Sequence, residues 1–166
     1  CIGSSSGKAK IGSRLGFGDT LSSLVITDGM KTIDVSSLTL EDFVTAQRII
    51  DCNFIKLDVE GGEVYVLPSA KDYFSRYKPT VYVSLHPFQF PDVEIDARRI
   101  CDVLSVYKEL YLNNGCQIVP HDLYRRLLLM RPIAVIATEG WQWGKRVRYR
   151  VGQSRLFRKG MRFLAR

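Results

Sequence analysis

The sequence predicts an α/β fold built on a mostly parallel sheet whose final strand is antiparallel. Three observations carry this. Short runs rich in β-branched and aromatic residues, Phe54–Leu57, Thr80–Leu85 and 132–138, alternate with stretches whose apolar residues recur at helical spacing. The last of these runs, PIAVIAT, is continuously apolar, as a central strand buried on both faces is. Between it and the preceding run at 116–119 no clear helix stands out, so those two strands are expected to pair antiparallel.

Along the chain, 8–11 and 31–35 are short and partly alternating, with Gly12, Gly16, Gly18 and Gly29 between or beside them, which predicts a small β-rich segment. Thr39, with Asp42 three residues on, is a candidate N-cap, and Leu40, Phe43, Val44 and Ile49 supply an apolar face behind it. Val64, Leu67, Ala70, Phe74 and Tyr77 continue from the strand at 54–57 at helical spacing, and Pro68 should break or kink that helix. Ile100, Leu104, Tyr107 and Tyr111 predict one face of a helix over about 96–112, with Asn113-Asn114-Gly115 as its turn or C-cap.

Composition bounds the function classes. With 166 residues, 46% apolar and 25% charged, the chain suits one soluble domain with a substantial core. No apolar stretch approaches the roughly 18 residues of a membrane span. Cys1, Cys52, Cys101 and Cys116 are widely spaced, so a zinc knuckle or a dense disulfide framework has no support, and reduced thiols in a cytoplasmic protein are expected. Residues 1–144 hold 15 basic and 17 acidic side chains, whereas 145–166 hold nine basic and none acidic. The division expected is therefore a nearly neutral domain, 1–144, and a basic C-terminal tail, 145–166. In that tail Leu156, Phe157, Met161 and Leu164 recur at helical spacing among arginines, so it is either a solvated extension or linker to a further domain, or a basic amphipathic helix suited to an anionic membrane surface. Nucleic acid is a poorer partner, because only Trp141 and Trp143 offer stacking faces.

Two glycine motifs fail as nucleotide loops. Gly3-Ser-Ser-Ser-Gly7-Lys8 has the wrong glycine spacing and Ala9 where a magnesium-binding hydroxyl belongs; Gly16-Phe-Gly18 lacks the third glycine. The stretch FIKLDVEGGEVYVL (54–67) differs, because Asp58 closes a strand and Gly61 and Gly62 allow a tight turn into the next helix. Ligands in open parallel sheets bind beyond such strand ends. Glu63 is accounted for by the helix's first turn, where acids suit the dipole. Asp58 and Glu60 are either capping acids or functional ones. His86 closes the strand TVYVSL at the equivalent rim, either as a general base or as a hydrogen-bonded strand-end histidine. His121, after Pro120, is expected to be incidental. Nothing in the spacing of these acids and His86 demands a metal.

The run FIKLDVEGGEVYVLPSA closely resembles the signature of the FkbM-family methyltransferases, a strand reading roughly I-K-x-D-V-E-G-x-E followed by V-L-x-x-A. Ile2-Gly3 with Gly7-Lys8, Ser22-Ser23-Leu24, Val35 and the Leu38-Thr-Leu-Glu-Asp-Phe helix start resemble the family's lead-in, and Lys78-Pro79 with the strand into His86 its next element. The resemblance covers about residues 1–120. It implies a class I, Rossmann-like, S-adenosylmethionine-binding fold, with seven strands and helices on both faces. It also implies methyl transfer to a hydroxyl oxygen of a sugar or other small molecule. On that likeness Phe54–Leu57 is the fourth strand and Thr80–Leu85 the fifth, with 116–119 and 132–138 the sixth and seventh. Asp58 would lie at the cofactor and face the methyl-transfer centre, and Glu60 or His86 would act as base or orient the acceptor. The first three strands and the glycine-rich cofactor loop would lie before Cys1, so the chain is expected to begin inside a longer one; a mature lipoprotein, which also begins at Cys, is the alternative. A non-catalytic methyltransferase-like binding module held at a membrane by its tail is the other functional class.

Overall fold

The computed structural model describes residues 1–13 and 23–140. The expected basic segment at 145–166, both tryptophans and the Gly16-Phe-Gly18 motif lie outside the described residues.

The chain opens with β1 (Gly7–Ser13) and β2 (Lys31–Ser37), a two-stranded antiparallel ribbon in which Gly7 pairs with Ser37 and Ser13 with Lys31. Gly7 enters a strand rather than a helix, which is why the serine-rich lead-in is no phosphate loop. Helix α1 (Leu40–Ala46) follows, and the Thr39 hydroxyl accepts the Asp42 N–H at 3.1 Å, the cap expected there. Ile49 does not join its face: the helix stops at Gln47, and Arg48 turns left-handed with φ 53°.

A second, five-stranded sheet carries the core. Its order is β3 (Phe54–Leu57), β4 (Thr80–Leu85), β7 (Ile133–Thr138), β5 (Glu109–Leu112), β6 (Gln117–Ile118). Only β3 and β4 pair in parallel; β7 runs antiparallel to both β4 and β5, and β6 antiparallel to β5. The sheet is therefore mixed, where a mostly parallel one was expected; the final strand is antiparallel, as expected. The difference arises at residues 105–127. Helix α4 (Val93–Leu104) ends at Ser105, so Tyr107 and Tyr111 are not one helical face. Leu110 and Leu112 instead alternate into the core at period two, and Asn113-Asn114-Gly115 turns the chain into β6. A further helix, α5 (Pro120–Leu127), separates the last two strands, with Pro120 in its first turn and Leu123 and Leu127 fully buried one turn apart. Those strands are not neighbours: β5 lies between them, in the place beside β7 that 116–119 was expected to fill.

One face of the sheet is deeply buried. Val81, Val83 and Leu85 of β4 stand in register with Ala137, Val135 and Ile133 of β7, and Leu110 and Leu112 extend that face on β5. Helix α4 packs between α5 and α2 (Glu63–Ser69), with Leu67, Ile100, Leu104, Leu123 and Leu127 excluded from solvent. Burial on this scale is the main favourable term in such a fold. After Pro68 the helix ends at Ala70 and restarts as α3 (Lys71–Tyr77), the break expected of a proline that cannot donate. Among the described residues, no helix is long and apolar enough to cross a membrane.

Candidate active site

Because β3 and β4 run parallel, their carboxyl ends lie side by side and present Asp58 and His86 on one rim. The chain then turns from β3 into α2 within five residues. Two consecutive left-handed residues make that turn, Glu60 at φ 49° and Gly61 at φ 89°. Left-handed backbone is costly for a residue with a Cβ, and such strain persists only where the surroundings hold it. Here the Ser23 hydroxyl donates to the Glu60 carbonyl at 2.6 Å, and the Gly62 N–H closes onto the Val59 carbonyl at 3.0 Å. Gly61 is required on space as well as conformation: a Cβ there would lie 2.7 Å from the Gln89 Cβ.

Glu63 is more than a helix-dipole acid. It is fully buried, and its two oxygens accept the Gly61 N–H at 3.2 and 3.1 Å, one of them also accepting the Val59 N–H at 3.3 Å. The same oxygen lies 3.1 Å from His86 Nδ1. Burial pushes the Glu63 carboxyl above its usual range, and the bonds from His86, Val59 and Gly61 pull against that. A carboxylate that already accepts backbone N–H groups at both oxygens selects the imidazole tautomer with hydrogen on Nδ1, which leaves a lone pair on Nε2.

That lone pair points into the acids. His86 Nε2 lies 3.9 Å from Asp58 Oδ1 and 3.7 Å from Glu60 Oε1. The imidazole is one-tenth exposed, whereas the two carboxylates are about a third exposed, so the centre is a half-open rim site with a buried floor. The other oxygen of each acid is occupied: Asp58 Oδ2 takes Lys56 Nζ at 2.8 Å, and Glu60 Oε2 takes the Gln89 side-chain amide at 3.2 Å. All three residues expected at the site, Asp58, Glu60 and His86, are thus brought together, with one ligand atom from each within 4.8 Å of the others. Such a centre can take a proton from a bound hydroxyl, face a cationic ligand, or hold a metal ion. Chain order did not reveal Glu63's part, because a first-turn acid is explained without function. Gln89 carried no signal, and Ser23 stood out only within the Ser22-Ser23-Leu24 likeness, which says nothing of a bond to Glu60. His121 stands apart, lining a shallow concavity between α4 and α5 with Arg98, Cys101 and Tyr124.

The sequence profile of the methyltransferase FkbM domain matches residues 2–112, which spans β1 to β5 and every residue of this centre. No curated protein and no solved structure matches the chain.

Proposed function

The chain belongs to the FkbM methyltransferase family, and from that premise we propose that it carries the acceptor-side centre of an S-adenosylmethionine-dependent O-methyltransferase acting on a hydroxyl of a sugar or other small molecule. The observation that supports this reading most is the convergence of His86 Nε2, Asp58 and Glu60 at the carboxyl ends of β3 and β4, backed by the buried Glu63.

The residues present fit one end of that donor, since part-exposed carboxylates at the rim suit a sulfonium. Bound there, S-adenosylmethionine supplies an electrophilic methyl group. Asp58 is the residue that would face it. The chain's own work is on the acceptor: a hydroxyl must be held at attacking distance and relieved of its proton. Two groups are in reach of that proton, the Nε2 lone pair and the Glu60 carboxylate. Glu63 fixes the imidazole so that Nε2, not Nδ1, meets the acceptor, and Gln89 fixes the Glu60 carboxylate.

The test is transfer of labelled methyl from S-adenosylmethionine to a panel of hydroxylated acceptors, with release of S-adenosylhomocysteine as the second readout. In the complete enzyme, Asp58→Ala should abolish turnover while the circular dichroism and melting transition stay close to wild type. Near-normal transfer by that variant would remove Asp58 from the site. No transfer by the complete enzyme with any sugar or small alcohol would defeat the O-methyl reading.

A further inference from the structure

We propose that Asp58, Glu60 and His86 bind one divalent cation of the Mn2+ class, through Asp58 Oδ1, Glu60 Oε1 and His86 Nε2. The strongest reason is which atoms are left over. Each of the three side chains has two potential ligand atoms, and in each the outer atom is already engaged by another protein group: Oδ2 by Lys56, Oε2 by Gln89, Nδ1 by Glu63. The three inner atoms face one another, 3.7 and 3.9 Å from the nitrogen to the oxygens, and none hydrogen-bonds to another. Nε2 belongs to a nine-tenths buried side chain and has no hydrogen-bond partner among the described residues. Two carboxylate oxygens and an imidazole lone pair converging on one point repel until a cation lies among them.

The surrounding groups match what metal sites require. A ligating histidine almost always donates its second ring N–H to a carboxylate or carbonyl, which fixes the tautomer and turns the ring. Glu63, itself pinned by the Val59 and Gly61 amides, does this for His86. Lys56 and Gln89 hold the two carboxylates in the same sense. An octahedral ion with bonds of about 2.1 Å places adjacent ligands roughly 3 Å apart, so the part-exposed carboxylates close in by less than a bond length. Oxygen ligands favour Mg2+, Ca2+ and Mn2+, while an imidazole favours the first-row transition ions; Mn2+ satisfies both. Three protein ligands leave positions open for water or for oxygens of a bound molecule. What the ion does for methyl transfer rests on the function proposed above and replaces the Nε2 base in it: with Nε2 and the two carboxylates on the ion, an acceptor hydroxyl bound at an open position becomes more acidic, and its proton can pass to solvent. Whether the ion binds does not depend on that function.

The experiment is a Mn2+ titration of the EDTA-stripped chain, without donor or acceptor, with free Mn2+ read by electron paramagnetic resonance. Wild type should take up one equivalent, and pulsed spectra should show nitrogen modulation from a coordinated imidazole. His86→Ala should lose that modulation and, with Asp58→Asn, bind at least about tenfold more weakly, while Glu63→Gln should weaken binding by about 10- to 100-fold. Circular dichroism confirms that each variant is folded. No saturable uptake at millimolar Mn2+, or uptake without nitrogen modulation, would overturn the site. Uptake as expected alongside absent methyl transfer would count against the proposed function and leave the ion site standing.

Discussion

Gly61 shows how one residue without a side chain shapes the centre. Its φ of 89° places the chain where an L-residue is strained by about 1–2 kcal/mol, and a Cβ would press on Gln89 and on Val25. Gln89 is the group that holds Glu60, so the clash would reach the carboxylate directly. Gly61→Ala is expected to lower stability by about 1–3 kcal/mol and to lower methyl transfer by more than that loss of folded protein explains. Urea unfolding and single-turnover assays on the folded fraction separate the two; an unchanged rate per folded molecule would show that Gln89 does not orient Glu60. Glu60 is strained in the same region yet carries a side chain, and the Ser23 hydroxyl is what keeps it there. A Ser that lies 37 positions away in sequence gives no local sign of such a bond.

Helix α4 presents the corresponding lesson for an element. Asp92 caps it by accepting the Ile95 N–H at 3.0 Å, and Asp96 reaches back to the Asp92 N–H at 3.1 Å. Asp92→Ala should cost about 1 kcal/mol, seen as a lower urea midpoint with an unchanged slope; a shift within error would mean that solvent satisfies the helix end. Because α4 packs against α2, which begins at Glu63, fraying at this cap loosens the helix that carries the buried carboxylate. The periodic pattern predicted a helix starting near Asp96 and running to about 112, since Ile100, Leu104, Tyr107 and Tyr111 share a helical spacing. That spacing cannot distinguish a helix that continues from one that stops at Leu104 and is followed by a strand whose buried Leu110 and Leu112 alternate. Strand boundaries at 54–57 and 80–85 were plain, because β-branched and aromatic runs there meet abrupt polar ends. Asp58, Glu60 and His86 could be named for the same reason. What holds their outer atoms could not: Lys56 on β3 and Glu63 at the start of α2 have ordinary explanations where they stand, and Gln89 reaches Glu60 only because the segment after β4 folds over the rim.

At the scale of the whole molecule, the centre has a cost that depends on pH. Glu63 is fully buried, and its carboxyl is raised above the usual 4.5, so across the window just above 4.5 the folded protein binds more protons than the unfolded chain. Stability from this group is fully present below that window and is lost as pH rises through it. Glu63→Gln removes the titration, so in EDTA the stability of wild type relative to the variant should fall as pH rises above 4.5. Urea unfolding across that range checks the sign; a relative stability that rises with pH would contradict the burial argument. The buried floor of the site is thus a local disadvantage that the core of β4, β5, β7, α4 and α5 offsets.

The strand order sets a schedule for assembly. His86 sits at the end of β4, and β4 has β3 on one side and β7 on the other. Its residues 81–85 pair with 133–137, so one flank of the histidine's strand stays open until the chain has been made nearly to residue 138. Closing that pairing requires a long loop, which slows folding relative to local contacts. During synthesis the acids of the β3 turn can meet β4 early, but the strand beneath His86 becomes fixed only with the arrival of β7. A ribosome-bound chain ending before β7 should therefore hold the DVEGGE turn and its histidine in the same polypeptide without a formed centre.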